Sequence, residues 1–507
     1  MSVEVLLNTL FMTVYTFVLV MVSIYGLHRW VLVMLYYRHR NRRTAPAAVF
    51  DELPAVTIQL PMYNEQLVAR RIIEQTCRID YPRDRLQIQV LDDSTDDTCR
   101  IARQAVQRAR DSGFDIEYIH RDHRVGYKAG ALAHGMKTAT GQFITIFDAD
   151  FVPAPDILRR SIHYFTDPRV CVVQTRWEHL NREASLLTRS QAVFLDGHFI
   201  IEHVARNRSG RFMSFNGTAG TWRREAIADA GGWQHDTLTE DMDLSYRAQL
   251  RGWRFVFLPD LTAPAELPPD IGAFKAQQHR WTKGGTQTAL KLLHRIWLSR
   301  APRKAKIEAT FHLTSFTVHL YMVLLVLMSF PAMFLQSVPA TRGTPWRALF
   351  DLGVFLLATL SAGTFYLASQ RELSGSWRQT LKYLPFLMAL GVGMCLSNAK
   401  AVLEALLGRQ SEFVRTPKFG DGTVRPPGAR RGKLGVLPWI ELAFAIYLSV
   451  CTVFASIHAQ SMMGAPFLAI FAFGFWYVSL LSFQVRLAGR RRDVPASVAS
   501  PSAKDEP

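Results

Sequence analysis

Apolar residues are distributed along this chain in two ways. From Val5 to Leu27 almost every position is apolar, which is long enough to cross a hydrocarbon layer, a task that takes about 20 residues. Further runs lie around 311–335, 348–369, 382–396, 437–457 and 465–485, and together they predict a multi-pass membrane protein. Between 38 and 300 no run of that length occurs, so a soluble unit is inserted between membrane segments.

Within that unit the pattern is that of strands and helices in turn. Val56-Thr57-Ile58-Gln59-Leu60 alternates with a period of two and runs into Pro61 and Asn64, a strand followed by a loop. Val68, Ile72, Ile73 and Cys77 follow at helical spacing. Leu86, Ile88 and Val90 alternate again and end on Asp92-Asp93-Ser94. Thr95-Asp96-Asp97 then supplies a cap and acidic first turn for a helix through Ile101, Ala105, Val106 and Ala109. Phe143 to Phe147 forms a third strand, leading into Asp148-Ala149-Asp150. Strand, helix, strand implies an α/β, Rossmann-like domain with a mainly parallel sheet, which binds ligands beyond the carboxyl ends of its strands. Both acidic clusters then face one crevice, although a lone Asp pair more often caps a helix or makes a turn.

Charge refines the topology. The 507 residues carry a formal net charge of +17, which alone is compatible with nucleic acid, an anionic membrane or a phosphate-bearing ligand. Much of the excess flanks apolar runs: Arg38, His39, Arg40, Arg42 and Arg43 follow the first, and Arg486, Arg490, Arg491 and Arg492 the last. That is the cytoplasmic signature of membrane proteins, and with no nucleic-acid motif present, nucleic acid is excluded as a partner. Five scattered cysteines (Cys77, Cys99, Cys171, Cys395 and Cys451) argue against a disulfide framework or zinc site. The first run is a retained anchor rather than a cleaved signal peptide, because its basic cluster follows the apolar core and the core is long, although Ala45-Pro46-Ala47 could offer a cleavage site.

With the basic cluster at 38–43 inside, the N-terminus faces out and the soluble unit is cytoplasmic. The C-terminal arginines must also be inside, so an even number of crossings follows that unit, yet five apolar runs do. The weakest is Leu381 to Leu396, interrupted by Pro385, Gly391 and Gly393; an interfacial or re-entrant element is predicted there. The resulting division is an anchor at 1–37, a cytosolic domain at 44–305, membrane and interfacial helices at 306–407, a cytosolic loop at 408–434, a membrane hairpin at 435–488 and a disordered tail at 489–507.

The candidate chemistry lies in the cytosolic unit. Asp148 and Asp150 flank one small residue, so both can offer oxygen to a hard divalent cation, Mg2+ or Mn2+, that also binds a diphosphate. Thr239-Glu240-Asp241 precedes Met242, Leu244 and Ala248, the start of a helix that Thr239 or Asp243 could cap. Asp241 suits a general base that takes the proton of an attacking hydroxyl in glycosyl transfer, with inversion at the anomeric carbon. In Gln277-Gln278-His279-Arg280-Trp281, the guanidinium suits phosphate and the indole a sugar ring. Arg124-Val125-Gly126-Tyr127-Lys128-Ala129-Gly130 adds Gly-rich backbone and a lysine for a phosphate contact.

The ordered set Asp92-Asp93, Asp148-Ala149-Asp150, Thr239-Glu240-Asp241 and Gln277-x-x-Arg280-Trp281, flanked by membrane runs, resembles the membrane-embedded processive family 2 glycosyltransferases of the cellulose synthase superfamily. The segments QVLDDSTDDT at 89–98, HRVGYKAGAL at 123–132, FDADFVP at 147–153, FNGTAGTWR at 215–223 and AELPPDIGAFKAQQHRW at 265–281 are similar to the cellulose-synthase-like A and C groups and their bacterial relatives. The resemblance implies a glycosyltransferase-A-type fold and hexose transfer from UDP-glucose or GDP-mannose to a growing β-linked glucan or mannan. It places Asp92, Asp93, Lys128, Asp148, Asp150 and Arg280 at the nucleotide sugar, the last two acids also at the metal, Asp241 as base, and Gln277 and Trp281 at the acceptor.

Phe413-Val414-Arg415-Thr416-Pro417-Lys418 resembles the FxVTxK gating loop of that family, with Phe413, Thr416 and Lys418 in its fixed positions and Arg415 in place of the usual Val. No cyclic-di-GMP module is recognisable. The expected partners are a nucleotide-sugar donor, a polysaccharide or glycolipid acceptor and membrane lipids, at the plasma or bacterial inner membrane, with export partners unspecified. Transfer of a single sugar to a lipid is the alternative reaction, and a non-catalytic sugar-nucleotide sensor a more distant one. If the topology holds, a membrane-impermeant thiol reagent applied from outside intact cells should fail to label single cysteines placed within 408–434, and labelling there would overturn it.

Overall fold

The computed structural model describes residues 3–42, 44–337, 345–411, 418, 420, 435–458 and 464–491. Seven strands, β1 (Val56–Met62), β2 (Leu86–Asp92), β3 (Asp115–His120), β4 (Phe143–Ile146), β5 (Val170–His179), β6 (Gly220–Arg223) and β7 (Arg254–Ala265), form one sheet in the order β3-β2-β1-β4-β6-β5-β7. The strands from β3 to β4 run parallel, as the alternating strand and helix pattern predicts. β6 then lies antiparallel between β4 and β5, and β7 returns parallel to β5.

The period-two alternation in β1 and β2 has a different cause from a half-solvated strand. Both strands are buried on both faces, and the polar positions pair with one another. Thr57 lies opposite Gln87 and Gln59 opposite Gln89; the Thr57 hydroxyl donates to Gln87 at 2.8 Å and the Gln59 amide to Gln89 at 3.0 Å. Buried polar groups require partners, and a register slip of one residue would set each of these against an aliphatic chain.

The predicted helices appear as Ala69–Thr76 and Thr98–Asp111. At the start of the second, the Asp96 carboxylate, not that of Asp97, accepts the Thr98 backbone N–H, at 2.9 Å. The helix after Thr239 begins at Glu240, and no side chain of that turn caps it through Thr239.

Among the described residues, five helices are long and apolar enough to cross a membrane: Val3–His39, Arg303–Phe334, Leu384–Leu406, Leu437–Ile457 and Ala465–Val485. They make this a multi-pass membrane protein, and they leave Leu10, Phe334 and Val453 exposed, as lipid-facing positions are. A further helix, Pro345–Ser374, packs along the first, where Tyr36 donates to Glu372 at 2.8 Å and Arg29 to Tyr366 at 2.8 Å.

Leu384–Leu406 is unlike the rest. It is 67% buried inside the protein, against 11–39% for the other four. It is two helical pieces, Leu384–Gly393 and Cys395–Leu406, interrupted at Met394 directly after Gly393, whereas Pro385 does not interrupt it. Pro385 sits in the first turn, where a proline costs no hydrogen bond. Gly393 meets the backbone of Gly474, whose carbonyl oxygen would lie 2.3 Å from an added Cβ. Its first half packs with Leu187 of the soluble domain, and at its end Glu404 pairs with Lys283 at 3.1 Å and His279 at 3.3 Å. Both ends therefore touch the soluble domain.

The Ile271–Leu298 helix joins the two parts. Its Lys275 donates to both oxygens of Glu441 in the Leu437–Ile457 helix, at 2.6 and 2.7 Å, and to Ser482 at 3.0 Å. The Glu441 side chain is wholly inaccessible to solvent. Breaking a buried pair leaves an uncompensated charge and costs about 3–5 kcal/mol, while replacing both members with apolar residues often does not. Glu441→Leu should thus lower the thermal midpoint in detergent markedly, and Lys275→Met with Glu441→Leu should recover most of the loss.

Candidate active site

The carboxyl ends of β1, β2 and β4 open onto a cavity of roughly 170 Å³. Its walls include Asp93, Lys128, Asp148, Asp150, Asp241, Gln277, Arg280, Trp281 and Lys418, so residues spread over more than 300 positions of the chain converge there. Asp92 is the exception. It is fully buried behind the cavity and does not line it: one oxygen accepts the Ser94 N–H at 2.9 Å and the other the Tyr118 hydroxyl at 2.6 Å. Asp93 faces the cavity and is gripped by both arms of Arg121, with Nε at 2.7 Å. Phe413 and Thr416 lie outside the described residues.

Two glycines allow the convergence. Gly217 takes φ +79°, a left-handed conformation open to glycine without steric cost. Its carbonyl accepts from Lys128 at 2.9 Å, and an added Cβ would stand 2.9 Å from an Asp241 oxygen. Gly284 lets the Ile271–Leu298 helix lie against Thr239, whose Cγ2 would be 2.6 Å from a Cβ there. That contact sets Arg280 and Trp281 beside the Asp241 turn.

The electrostatics follow from crowding acids into a partly enclosed space. Lys128 donates to Asp148 at 2.5 Å, and Lys418 to Asp150 at 2.7 Å. Burial by itself would pull the Lys128 ammonium down, but Asp148, Glu240 and Asp241 outweigh it and hold it above the usual lysine range. Burial raises the Glu240 carboxyl against the opposing pull of Lys128 and Arg280. Asp241 is pushed up to about 7, first by loss of solvent and then by the neighbouring Glu240 carboxylate, with Lys128 working the other way. A carboxylate in that range is matched to proton transfer near neutral pH.

The DxD pair suits a divalent cation. Asp150 Oδ2 is taken by Lys418 and by the Glu266 N–H at 3.3 Å, but Oδ1 is buried without a hydrogen-bond partner among the described residues. Asp148 retains one oxygen outside its pair with Lys128, and its backbone is fixed by its N–H donating to Thr218 at 2.8 Å. Two hard oxygen donors held one residue apart are the donor set that Mg2+ or Mn2+ prefers.

Sequence reasoning missed part of the lining. Tyr63 and Glu65 follow β1, and the Arg124 guanidinium lies over the Tyr63 ring at 3.5 Å; the Pro61 to Asn64 turn was the available signal. Glu266, which pairs with Arg71 at 2.6 Å and accepts the Gly420 N–H at 3.2 Å, comes from the end of β7. Trp177 and His179 on β5, and Asn216 before Gly217, also line the cavity. Asn216 and Glu266 fall within the segments 215–223 and 265–281 that carry the family resemblance, a signal that was available, whereas Trp177 and His179 stand in no such pattern.

The site is thus built on an open α/β sheet with acid-tipped strands beside a membrane bundle. Residues 54–284 match the family described as glycosyltransferase like family 2. The chain is 35% identical over 458 residues to glucomannan 4-beta-mannosyltransferase 2 of Arabidopsis thaliana, covering 85% of this chain and 83% of that one. It is 37% identical over 415 residues to a probable glucomannan 4-beta-mannosyltransferase 9 of Oryza sativa subsp. japonica, covering 78% and 76%. Among solved structures it resembles a mannosyltransferase from Pyrobaculum calidifontis in complex with GDP-Man and Mn2+, with a TM-score of 0.50 and 22% identity over 71% of this chain and 99% of that one. This chain belongs to the family 2 glycosyltransferases.

The Asp241 shift has two measurable consequences. For any step that needs this carboxyl ionised, kcat/KM for the donor should rise with pH and level off above about 7, falling roughly tenfold per unit on the acid side. In the donor-free protein a carboxyl raised from 3.8 to about 7 binds more protons folded than unfolded, so its contribution to stability is lost as pH rises through that window. Asp241→Asn should therefore raise the thermal midpoint at alkaline pH and lose that advantage toward pH 4.

Proposed function

We propose that this protein is a processive, inverting mannosyltransferase that adds mannose from GDP-mannose to a β-1,4-linked mannan or glucomannan. The observation that carries this reading is the similarity, along most of both chains, to glucomannan 4-beta-mannosyltransferases. The cavity supports it by bringing charged and aromatic side chains together.

In this reading Asp241 accepts the proton of the attacking acceptor hydroxyl as that oxygen bonds to the anomeric carbon. Attack opposite the leaving diphosphate turns an α-linked donor into a β-linked product. Lys128, Arg280 and Lys418 bind diphosphate oxygens, Asp93 contributes to the nucleotide end, and Gln277 and Trp281 hold the acceptor, the indole offering its face to a pyranose. A divalent cation, Mg2+ or Mn2+, held by Asp148 and Asp150 would offset charge on the departing diphosphate. Asp92 acts at one remove, by fixing the end of β2 through Ser94.

We further place the soluble domain on the cytoplasmic face of the plasma membrane, with the polymer leaving through the membrane helices. The basic residues after the first span support this orientation. The contact of both ends of Leu384–Leu406 with the soluble domain supports an interfacial or re-entrant placement of that element.

Product analysis tests the proposal. Purified enzyme in detergent, given GDP-mannose, should release long polymer that a β-1,4-mannanase degrades, and UDP-glucose should not replace the donor. A single-sugar glycolipid as the end product would overturn processivity. Asp241→Asn should lower kcat by about 10²–10⁴-fold with GDP affinity unchanged, and Asp150→Ala should abolish both turnover and any response to divalent cation.

A further inference from the structure

The cavity is lined by charged groups, Lys128, Asp148, Asp150 and Arg280 among them, and also by Trp177, His179 and Asn216. Trp177 and His179 are two positions apart on β5, opposite Ala263 and Ala265 of β7, so their side chains share one face of the strand.

Trp177 Nε1 and His179 Nε2 are buried and have no hydrogen-bond partner among the described residues. Such atoms are rare in folded proteins and call for an explanation. The Trp177 ring is held edge-on to Phe151, at 5.5 Å and 73°, and tilted against Phe199 at 5.3 Å, so it cannot turn its N–H elsewhere without disturbing that packing.

The nearest carboxylate to His179 does not satisfy it. Asp196 Oδ1 stands 4.0 Å from Nε2, beyond hydrogen-bond range. Both Asp196 oxygens already accept from Arg182, at 2.9 and 2.8 Å, and one also from Gln370 at 2.7 Å. Burial, reinforced by Arg182 and Arg176, pushes His179 down to about 3, so the imidazole is neutral. An indole N–H donates and a neutral imidazole offers one donor and one acceptor, a set that a sugar hydroxyl, itself donor and acceptor, can satisfy.

We propose that Trp177 Nε1 and His179 Nε2 are the hydrogen-bonding groups of a pyranose subsite on β5, contacting hydroxyls of a hexose in the cavity and helping to set sugar specificity. This rests on the glycosyl-transfer reading above. The hexose belongs either to the donor or to the end of the acceptor chain, and the two sources separate kinetically.

The test uses the full chain in detergent with Trp177→Phe, which keeps the ring and removes the N–H, and His179→Leu, with His179→Gln as a rescue that restores an amide. Each of the first two should raise one sugar KM about tenfold, the loss of a single hydrogen bond, with GDP affinity unchanged, and His179→Gln should recover most of it. A higher KM for GDP-mannose assigns the donor hexose, and a higher KM for mannotetraose assigns the acceptor end. Unchanged KM values for both substrates, or a parallel loss of GDP affinity, would overturn the subsite. Should wild type fail to use GDP-mannose, the proposed function falls instead, and saturation-transfer NMR with mannotetraose and cellotetraose then decides the subsite: weaker signals in the variants support it, and signals equal to wild type reject it.

Discussion

Seven acidic residues, Glu65, Asp93, Asp148, Asp150, Glu240, Asp241 and Glu266, line one cavity at the end of the sheet, and their mutual repulsion has to be balanced by cations brought from elsewhere in the chain. Removing ionised groups from water is expensive unless they are paired. Lys128 comes from the helix after β3, Arg280 from the helix that borders the membrane bundle, and Lys418 from beyond three further long helices. The site is thus complete only when the soluble domain and the following membrane segments are packed together. Glu240 and Asp241 nonetheless remain raised, chiefly by loss of solvent and, for Asp241, next by the Glu240 carboxylate, which leaves Asp241 able to exchange a proton near neutrality.

The Ile271–Leu298 helix carries that dependence. One side bears Gln277, Arg280 and Trp281 at the cavity, and the other bears Lys275, His279 and Lys283, paired with Glu441 and Glu404 of the membrane-side helices. Gly284 permits its approach to Thr239 and Gly285 its approach to Phe316. A shift of the bundle would therefore move Gln277, Arg280 and Trp281 relative to the Asp241 turn.

Trp177, His179 and Asn216 sit on β5 and in the turn before β6, in the half of the sheet where β6 inserts antiparallel. That half was the less legible. β3, β5, β6 and β7 were not anticipated, and β6 is only four residues long, too short for periodicity to register. β5 and β7 are longer, but their apolar runs are mixed with charged residues whose solvation depends on strand neighbours far along the chain.

What was legible without coordinates depended on local causes. Apolar runs announce membrane helices because lipid demands about 20 apolar residues in succession, and strands ending in Asp93 and in Asp148-Ala149-Asp150 announce a crevice because parallel sheets bind ligands at their carboxyl ends. The roles considered for Asp241, Arg280 and Lys418 could be named from short motifs. Only the tertiary structure set Asp92 behind the cavity rather than in it, turned the expected break at Pro385 into a helix start, and left Trp177 and His179 lining the site, each with a buried nitrogen that has no hydrogen-bond partner among the described residues. Each of those outcomes depends on which distant groups reach a given atom and whether water can, and the identity of an atom's neighbours is not a property of the sequence around it.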